Sequence, residues 1–373
     1  MRKLFQPLTY GLLFCTLSLS VQADQRLDDK TTLSLLKQLV EKAILPTYRE
    51  LDQQAQALKS DAQQFCSQPN ENSLKKVRSL WSATLSGWQE SSALLFGPSV
   101  ENEVDFTIYF HPVKKAVVNG LLNKAKANPG TPLTATIISQ VGIGGQGLAA
   151  LEYLLFDREK NDSERVVLFG SITGKQRCHY LQAATELLAK NLHVIYQGWA
   201  SDAGKYGEGF YTAGQDSTYF TEIYQPLELL VNRMHQAIQA VEIKKLGVPL
   251  GLRGSRSGKP RAYPYKLEAW RSGHSWQNIM SSLQGLQRLL DEGGILEALH
   301  NNNQAVLATQ LNTQLNTLLE TKLASDDLFQ ILEESPNSVK PFYKQVQTLA
   351  TTLRTGLAPA LGVQLGFNQN DGD

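Results

Sequence analysis

Cysteine is scarce in this chain: Cys15, Cys66 and Cys178 are the three among 373 residues. No C-x-x-C or C-x-x-C-H occurs, so a zinc ribbon and a covalently attached haem have no support. Nor is there an H-E-x-x-H for a zinc peptidase, a G-x-S-x-G for a serine nucleophile or a G-x-x-x-x-G-K-S/T for a nucleotide phosphate. The six histidines (His111, His179, His193, His235, His274 and His300) show no metal-ligand spacing among themselves. Charge of one sign is also missing, with 36 basic residues against 35 acidic. That balance gives no reason to expect nucleic acid or an acidic membrane surface as partner. Period-two alternation of apolar and polar residues is almost absent, which argues against a sheet.

What is present starts with Met-Arg2-Lys3, an apolar run from Leu8 to Leu19, and Ser20-Val21-Gln22-Ala23. A short basic region, a short apolar region and small residues before position 24 read as a secretory signal peptide, residues 1–23, cut after Ala23. The run is short for a membrane span, and no later stretch is apolar enough for one. Phe14 stands before Cys15 where a lipoprotein signal needs a small residue. The expected localisation is therefore periplasmic, with no transmembrane segment in the mature chain. Cleavage removes Arg2 and Lys3 from the 36 basic residues, leaving 34 against 35 acidic, a net −1. It also removes Cys15. Two thiols in an oxidising compartment suggest one disulfide, Cys66 to Cys178; two buried free thiols are the alternative.

The mature chain reads as helix after helix. Leu33, Leu36, Val40 and Ile44 set a stripe from Thr31 to about Phe65, with Pro46 expected to kink or split it. Val77, Trp81, Leu85 and Trp88 set a second. A third segment, Val104 to Ala127, is interrupted at His111-Pro112. A long helix opens at Gly174 and carries Leu181, Leu188, Leu192, Ile195 and Trp199 on one face. Ser201 to Asp216, rich in Gly, Tyr and Asp, marks a boundary between domains. Beyond it, Ser217 to Leu246 reads as one helix bent at Pro226 and closed by Lys244, Lys245 and Gly247. Helical spacing returns with Ile279, Leu283, Leu286 and Leu290, then Leu307, Leu311, Leu315 and Leu318, then Val339 to Leu353. The expected fold class is all-α, with two helical bundles: residues 24–203 and residues 204–373.

The most informative stretch is Gly142-Ile-Gly-Gly-Gln-Gly-Leu-Ala-Ala-Leu-Glu152-Tyr-Leu-Leu-Phe156. Leu148, Leu151 and Leu155 share a helical stripe, and Glu152 lies on it. A carboxylate on an apolar face is costly unless it is paired, bound or protonated. That cost makes Glu152 the first candidate; a snorkelling or structurally paired Glu is the alternative. Gly142, Gly144 and Gly147 spell G-x-G-x-x-G, which imitates a dinucleotide-binding turn. No acid follows Val166 to Phe169 for a ribose hydroxyl, and the neighbours are helices, so the glycines more plausibly permit close packing beside Glu152. Trp270-Arg271-Ser272-Gly273-His274 reads as a helix start after Glu268. Arg271 could pair with a buried carboxylate such as Glu152, or lie on the surface. Arg253, Arg256, Lys259 and Arg261 populate a loop that is either an anion site or merely solvated. Asp371 and Asp373 are either disordered charge at the tail or oxygen ligands folded back toward a hard cation.

Three places resemble the imelysin-like family of bacterial envelope proteins, once classed as metallopeptidases and more often associated with iron uptake. Gly147-Leu-Ala-Ala-Leu-Glu152-Tyr-Leu-Leu-Phe156 is similar to the family's G-x-H-x-x-E helix. Leu246-Gly-Val-Pro-Leu-Gly251 with Glu268-Ala-Trp-Arg271-Ser272-Gly273, and the ending Gly366-Phe-Asn368-Gln-Asn-Asp371-Gly-Asp373, resemble its periplasmic branch. The resemblance implies two four-helix-bundle domains with a site at their interface. It carries over Glu152 as the motif acid and metal residue, with Glu268, Arg271 and Ser272 from the second bundle and Asn368 and Asp371 beside them. It implies iron or another metal ion as the cargo, and envelope iron-uptake components as partners. One departure is large: the motif histidine is Ala149. A zinc mechanism needs two or three good ligands and a base. The reading is thus a non-catalytic binding protein, with an imelysin-type metallopeptidase and a structural or docking bundle as the alternatives.

Overall fold

The computed structural model describes residues 26–128, 130–171, 174–200, 205–253 and 261–366. The signal segment 1–23, the junction at 203/204, Arg256, Lys259, Asn368, Asp371 and Asp373 lie outside them. Among the described residues the regular structure is helical and no strand occurs.

The first half begins with α1 (Asp29–Gln38), whose N-terminus is capped by the Asp28 carboxylate accepting from Thr31 N–H at 2.9 Å. A π-turn, Leu39–Ile44, leads directly into α2 (Leu45–Ser67). Pro46 sits at the start of α2. It does not split the helix; the widened turn before it absorbs the missing donor, with Leu45 N–H reaching back to Val40 C=O. Helix α3 (Glu71–Glu90) opens on an Asn70–Ser73 capping box. Short helices α4 (Val104–Ile108), α5 (Lys115–Ala127) and α6 (Ala135–Ser139) follow, then α7 (Gly147–Leu155), α8 (Asp162–Gly170) and the long α9 (Lys175–Trp199). Helix α2 packs on α3 and α9, and α7 packs on both α3 and α9. Cys66 at the end of α2 is bonded to Cys178 in the first turn of α9, with Cα atoms 5.4 Å apart.

Two expectations fail after α9. Part of the anticipated linker is a helix, α10 (Tyr206–Tyr211), because Tyr206 and Phe210 bury their rings against Trp199 at 4.9 and 5.9 Å. The next helix, α11 (Gln225–Gln239), holds Pro226 in its first turn and is not bent by it; proline suits a first turn, where its missing N–H costs nothing. A second π-turn, Ala240–Gly247, extends α11. Then come α12 (Ser275–Leu290), α13 (Ile295–Asn301), α14 (Ala305–Leu319), α15 (Leu328–Glu334), α16 (Lys340–Thr352), a π-turn Leu353–Leu357 and α17 (Ala358–Ala360). Helices α11, α12, α14 and α16 pack on one another, and α12 also lies against α3. One apolar core runs through both sets of helices. The segment from Trp270 to His274 is an irregular turn and not a helix start. Ala269 and Gly273 have φ of 50° and 73°, and the helix begins at Ser275.

Candidate functional site

Helix α7 meets the turn before α12 at the seam between the two sets of helices. Gly147 makes this approach possible. Its φ is +64°, and a Cβ there would stand 2.2 Å from Ile108 C=O and 2.4 Å from Thr107 C=O. The indole N–H of fully buried Trp81 donates to Leu148 C=O at 2.9 Å, which fixes α7 from the α3 side. Gly142 has φ +80° and precedes a short 3-10 turn, and Thr134 to Ser139 is not strand, so nothing here forms a dinucleotide-binding βα unit.

Glu152, 2% exposed, faces the turn and not solvent. Ser272 gives its Oε1 two hydrogen bonds, one from the backbone N–H and one from the hydroxyl, both at 3.0 Å. The irregular backbone of the turn aims that N–H, and Ala269 C=O, 2.9 Å from Ser272 Oγ, is the alternative acceptor for the same hydroxyl proton. Arg271 Nη1 lies 4.0 Å from Glu152 Oε2, and its guanidinium stacks over Trp270 at 4.2 Å. Burial pushes the Glu152 carboxyl above its ordinary value. The Ser272 N–H, Arg271 and the Ser272 hydroxyl pull the other way without cancelling it.

A second carboxylate stands nearby. Glu268 Oε2 meets Lys245 Nζ at 2.6 Å, and Lys245 also donates to Gln89 Oε1 at 2.7 Å. Burial acts to raise Glu268, but Lys245, His111 and the hydrogen bond from Lys245 outweigh it and hold the carboxyl below its ordinary value. Lys245 is 8% exposed. The sequence places it in a helix's last turn, where lysine complements the dipole; only the packing of the π-turn on α12 and α16 turns it inward, toward Gln89 at the end of α3.

Tyr109 and Asn278 complete this polar layer. The Tyr109 hydroxyl lies in the field of Glu268 and Glu152, and the Asn278 amide neighbours both Tyr109 and Glu268. Yet Tyr109 Oη and both polar atoms of Asn278 are buried without a hydrogen bond of good geometry, as is Ser92 Oγ. Gln89, Ser92, Tyr109, Lys245 and Glu268 line a cleft of about 990 Å³. Asn278 had a faint sequence signal: it sits beside Ile279 on an apolar stripe, with Ser275 and Ser282 flanking it in register and all three buried.

The other sequence candidates fall elsewhere. His274 meets Ser86 Oγ at 3.1 Å and is lowered by burial to about 4. His111 is lowered too, by burial first, with Lys245 and Arg271 adding to it against Glu268. Arg253 pairs with Glu242 at 3.4 Å and Arg261 stacks on Tyr263 at 5.0 Å, so these two described members of the basic loop are engaged by the chain itself. Among the described residues no three His, Cys, Asp or Glu side chains converge to hold a metal ion. That donor set does not fit a metal bound by protein side chains alone. No described helix is long and apolar enough to cross a membrane.

Comparison with solved structures finds an imelysin-like protein from Psychrobacter arcticum at a TM-score of 0.72 and 22% identity, covering 91% of this chain and 98% of that one. A protein from Parabacteroides distasonis, described as an iron-regulated protein A precursor, superposes at 0.70 with 18% identity, covering 88% and 94%. At these identities the likeness establishes the fold. A search of curated proteins finds no match. The sequence pattern of the imelysin family matches residues 44–359, from the first π-turn to the last helix, and the chain belongs to that family.

Proposed function

We propose that this protein is a periplasmic, non-catalytic binding protein, an accessory in bacterial iron uptake or homeostasis, with a polar ligand site between two helical bundles divided near residue 203. One observation carries the reading. The Glu268–Lys245 pair and the Tyr109 and Ser92 hydroxyls, neither of which makes a well-formed hydrogen bond, line a single cleft of about 990 Å³, next to the buried Glu152. Unspent polar atoms in a cleft cost stability unless something accepts their hydrogen bonds, so they suit a ligand better than a core. The iron connection is supported by family membership and by the name of the Parabacteroides neighbour. Because side-chain donors for a bare ion do not converge among the described residues, the ligand we propose is an iron complex bringing its own donor atoms. Glu152 then serves as a hydrogen-bond acceptor or as one added oxygen ligand.

The test is calorimetric titration of the mature, metal-stripped protein with ferrous, ferric-chelate and zinc ions, beside Glu152→Gln and Tyr109→Phe. Saturable binding of the ferric chelate, weakened in both variants, is the expected result. Glu152→Gln should fold with at least wild-type stability near neutral pH, since it keeps an acceptor for Ser272 and drops a buried charge. Absence of binding by all three forms of metal would sink the proposal and leave Glu152 as a structural partner of Ser272 and Arg271.

A further inference from the structure

On another face of the Trp270–Arg271 turn lies a smaller cleft of about 370 Å³ with a different chemistry. Its walls are the ends of α7 and α9, helix α8, the start of α5 and the loop from Phe156 to Lys160. Six cations line it (Lys115, Arg158, Lys160, Arg165, Arg177 and Arg271) against two acids, Asp157 and Glu159. We infer that this cleft binds a small oxyanion carrying two or more negative charges, of the phosphate or polycarboxylate class.

The pairing pattern carries the inference. Where guanidinium groups of this region serve structure, each has a carboxylate: Arg78 bonds Asp162, and Arg158 Nη2 meets Asp327 Oδ2 at 2.5 Å. Arg165 also has a carboxylate, but at longer range and with one N–H left over. Its residue is 4% exposed, its Nη2 donates to Phe156 C=O, and its one acidic neighbour, Asp157, stands 3.8 Å away. Its Nε is buried with no hydrogen-bond partner. A buried, unpaired guanidinium N–H is among the costlier orphans a fold can keep. Arg177, half-buried on the first turn of α9, has no ion pair or hydrogen bond among the described residues, although burial depresses it. Burial also lowers Arg165 to about 10, and the nearby charges of Arg177 and Arg78 push the same way. A fold that gathers like charges around a concavity is destabilised by their repulsion, and an anion seated between them reverses the sign.

Ligand size and geometry follow from the walls. Two guanidinium forks, Arg165 and Arg177, suit the planar or tetrahedral oxygens of carboxylate and phosphate. The volume admits a molecule of several heavy atoms and not a polymer. The chain's near-zero net charge gives no field to gather a nucleic acid. Arg271 borders both sites, but Arg165 and Arg177 take no part in the layer around Glu268 and Tyr109, so a test on Arg177 stands apart from the iron reading.

The test is titration of the metal-free mature protein with inorganic phosphate and, separately, citrate, at fixed ionic strength, by calorimetry and thermal shift. Arg165→Gln risks unfolding, so half-buried Arg177 carries the test, with circular dichroism to show that the variant is folded. Saturable binding of at least one anion is expected, weakened about tenfold or more in Arg177→Gln by loss of a charge-assisted contact. Lys37→Gln, on the outer face of α1, should bind as the wild type does. The tighter of the two arms identifies the oxyanion. No saturable binding in either arm, or unchanged binding in Arg177→Gln, overturns the assignment.

Discussion

At the scale of single residues, Glu152 and Glu268 are opposite cases within one polar layer. Glu268 is held below its ordinary value of 4.5 by a buried lysine that outweighs burial. Its pair with Lys245 therefore stabilises the fold fully above the unfolded value, and that contribution is lost as pH falls through the folded value. Lys245→Met should cost about 3 kcal/mol near pH 7, toward the low end for a broken buried pair because Glu268 is 21% exposed. The gap to wild type should close on acidification, as pH falls below the ordinary value of 4.5 and through the lower folded value. Urea denaturation at pH 7 and in the acid range checks both parts; a gap indifferent to pH would show that Glu268 is not the group responsible. Glu152 is raised instead, chiefly by burial. Its ionised form costs stability, absent below the ordinary value of 4.5 and growing as pH rises through the folded value. The advantage of Glu152→Gln should grow over that same window, a readout of stability separate from its loss of ligand binding.

Elements position these residues through close backbone approach. Helix α7 can bring Glu152 to Ser272 because Gly147 lets α7 sit against the carbonyl groups of Thr107 and Ile108. Gly147→Ala adds both an unfavourable positive φ and a contact at 2.2 Å against backbone. It should destabilise by about 2–4 kcal/mol, visible as a lower urea midpoint with an unchanged m-value. A substitution tolerated at below about 1 kcal/mol would mean that α7 and the 107–108 segment slide freely, against the packing described. The turn from Ala269 to Gly273 is the matching element on the other side. Its two left-handed residues point the Ser272 N–H at Glu152, a job that a regular helix start at Trp270 could not perform, since its first N–H groups would all point along one axis.

Over the whole molecule, the disulfide and the shared core tie distant parts of the chain. Cys66 and Cys178 are 112 residues apart in sequence. A loop of that length implies about 5 kcal/mol of stabilisation through restriction of the unfolded chain. The double variant Cys66→Ala, Cys178→Ala should lose much of this in equilibrium denaturation, while reductant leaves the variant's own midpoint unmoved. A double variant as stable as the oxidised wild type would show that the cross-link adds nothing. Because α3 packs on both α2 and α12 within one core, the transition should be a single cooperative step.

The sequence by itself determined the helical class, since apolar spacings of three and four persist from Leu33 to Leu353 and alternation does not. It also singled out Glu152, because a lone acid on an apolar stripe is visible from spacing alone, and it held the motifs that tie the chain to its family. Helix starts were less legible: Pro226 read as a bend where first-turn chemistry made it a beginning, and Tyr206 and Phe210 read as loop until Trp199 gave them something to cover. Only the tertiary structure decided that Lys245 faces Glu268, that Tyr109 and Asn278 are left with unused polar atoms, and that Lys115, Arg165, Arg177 and Arg271 share one cleft. These facts depend on which residues far apart in the chain become neighbours. Burial and charge pairing are properties of that neighbourhood, and a local pattern of residue types carries no record of it.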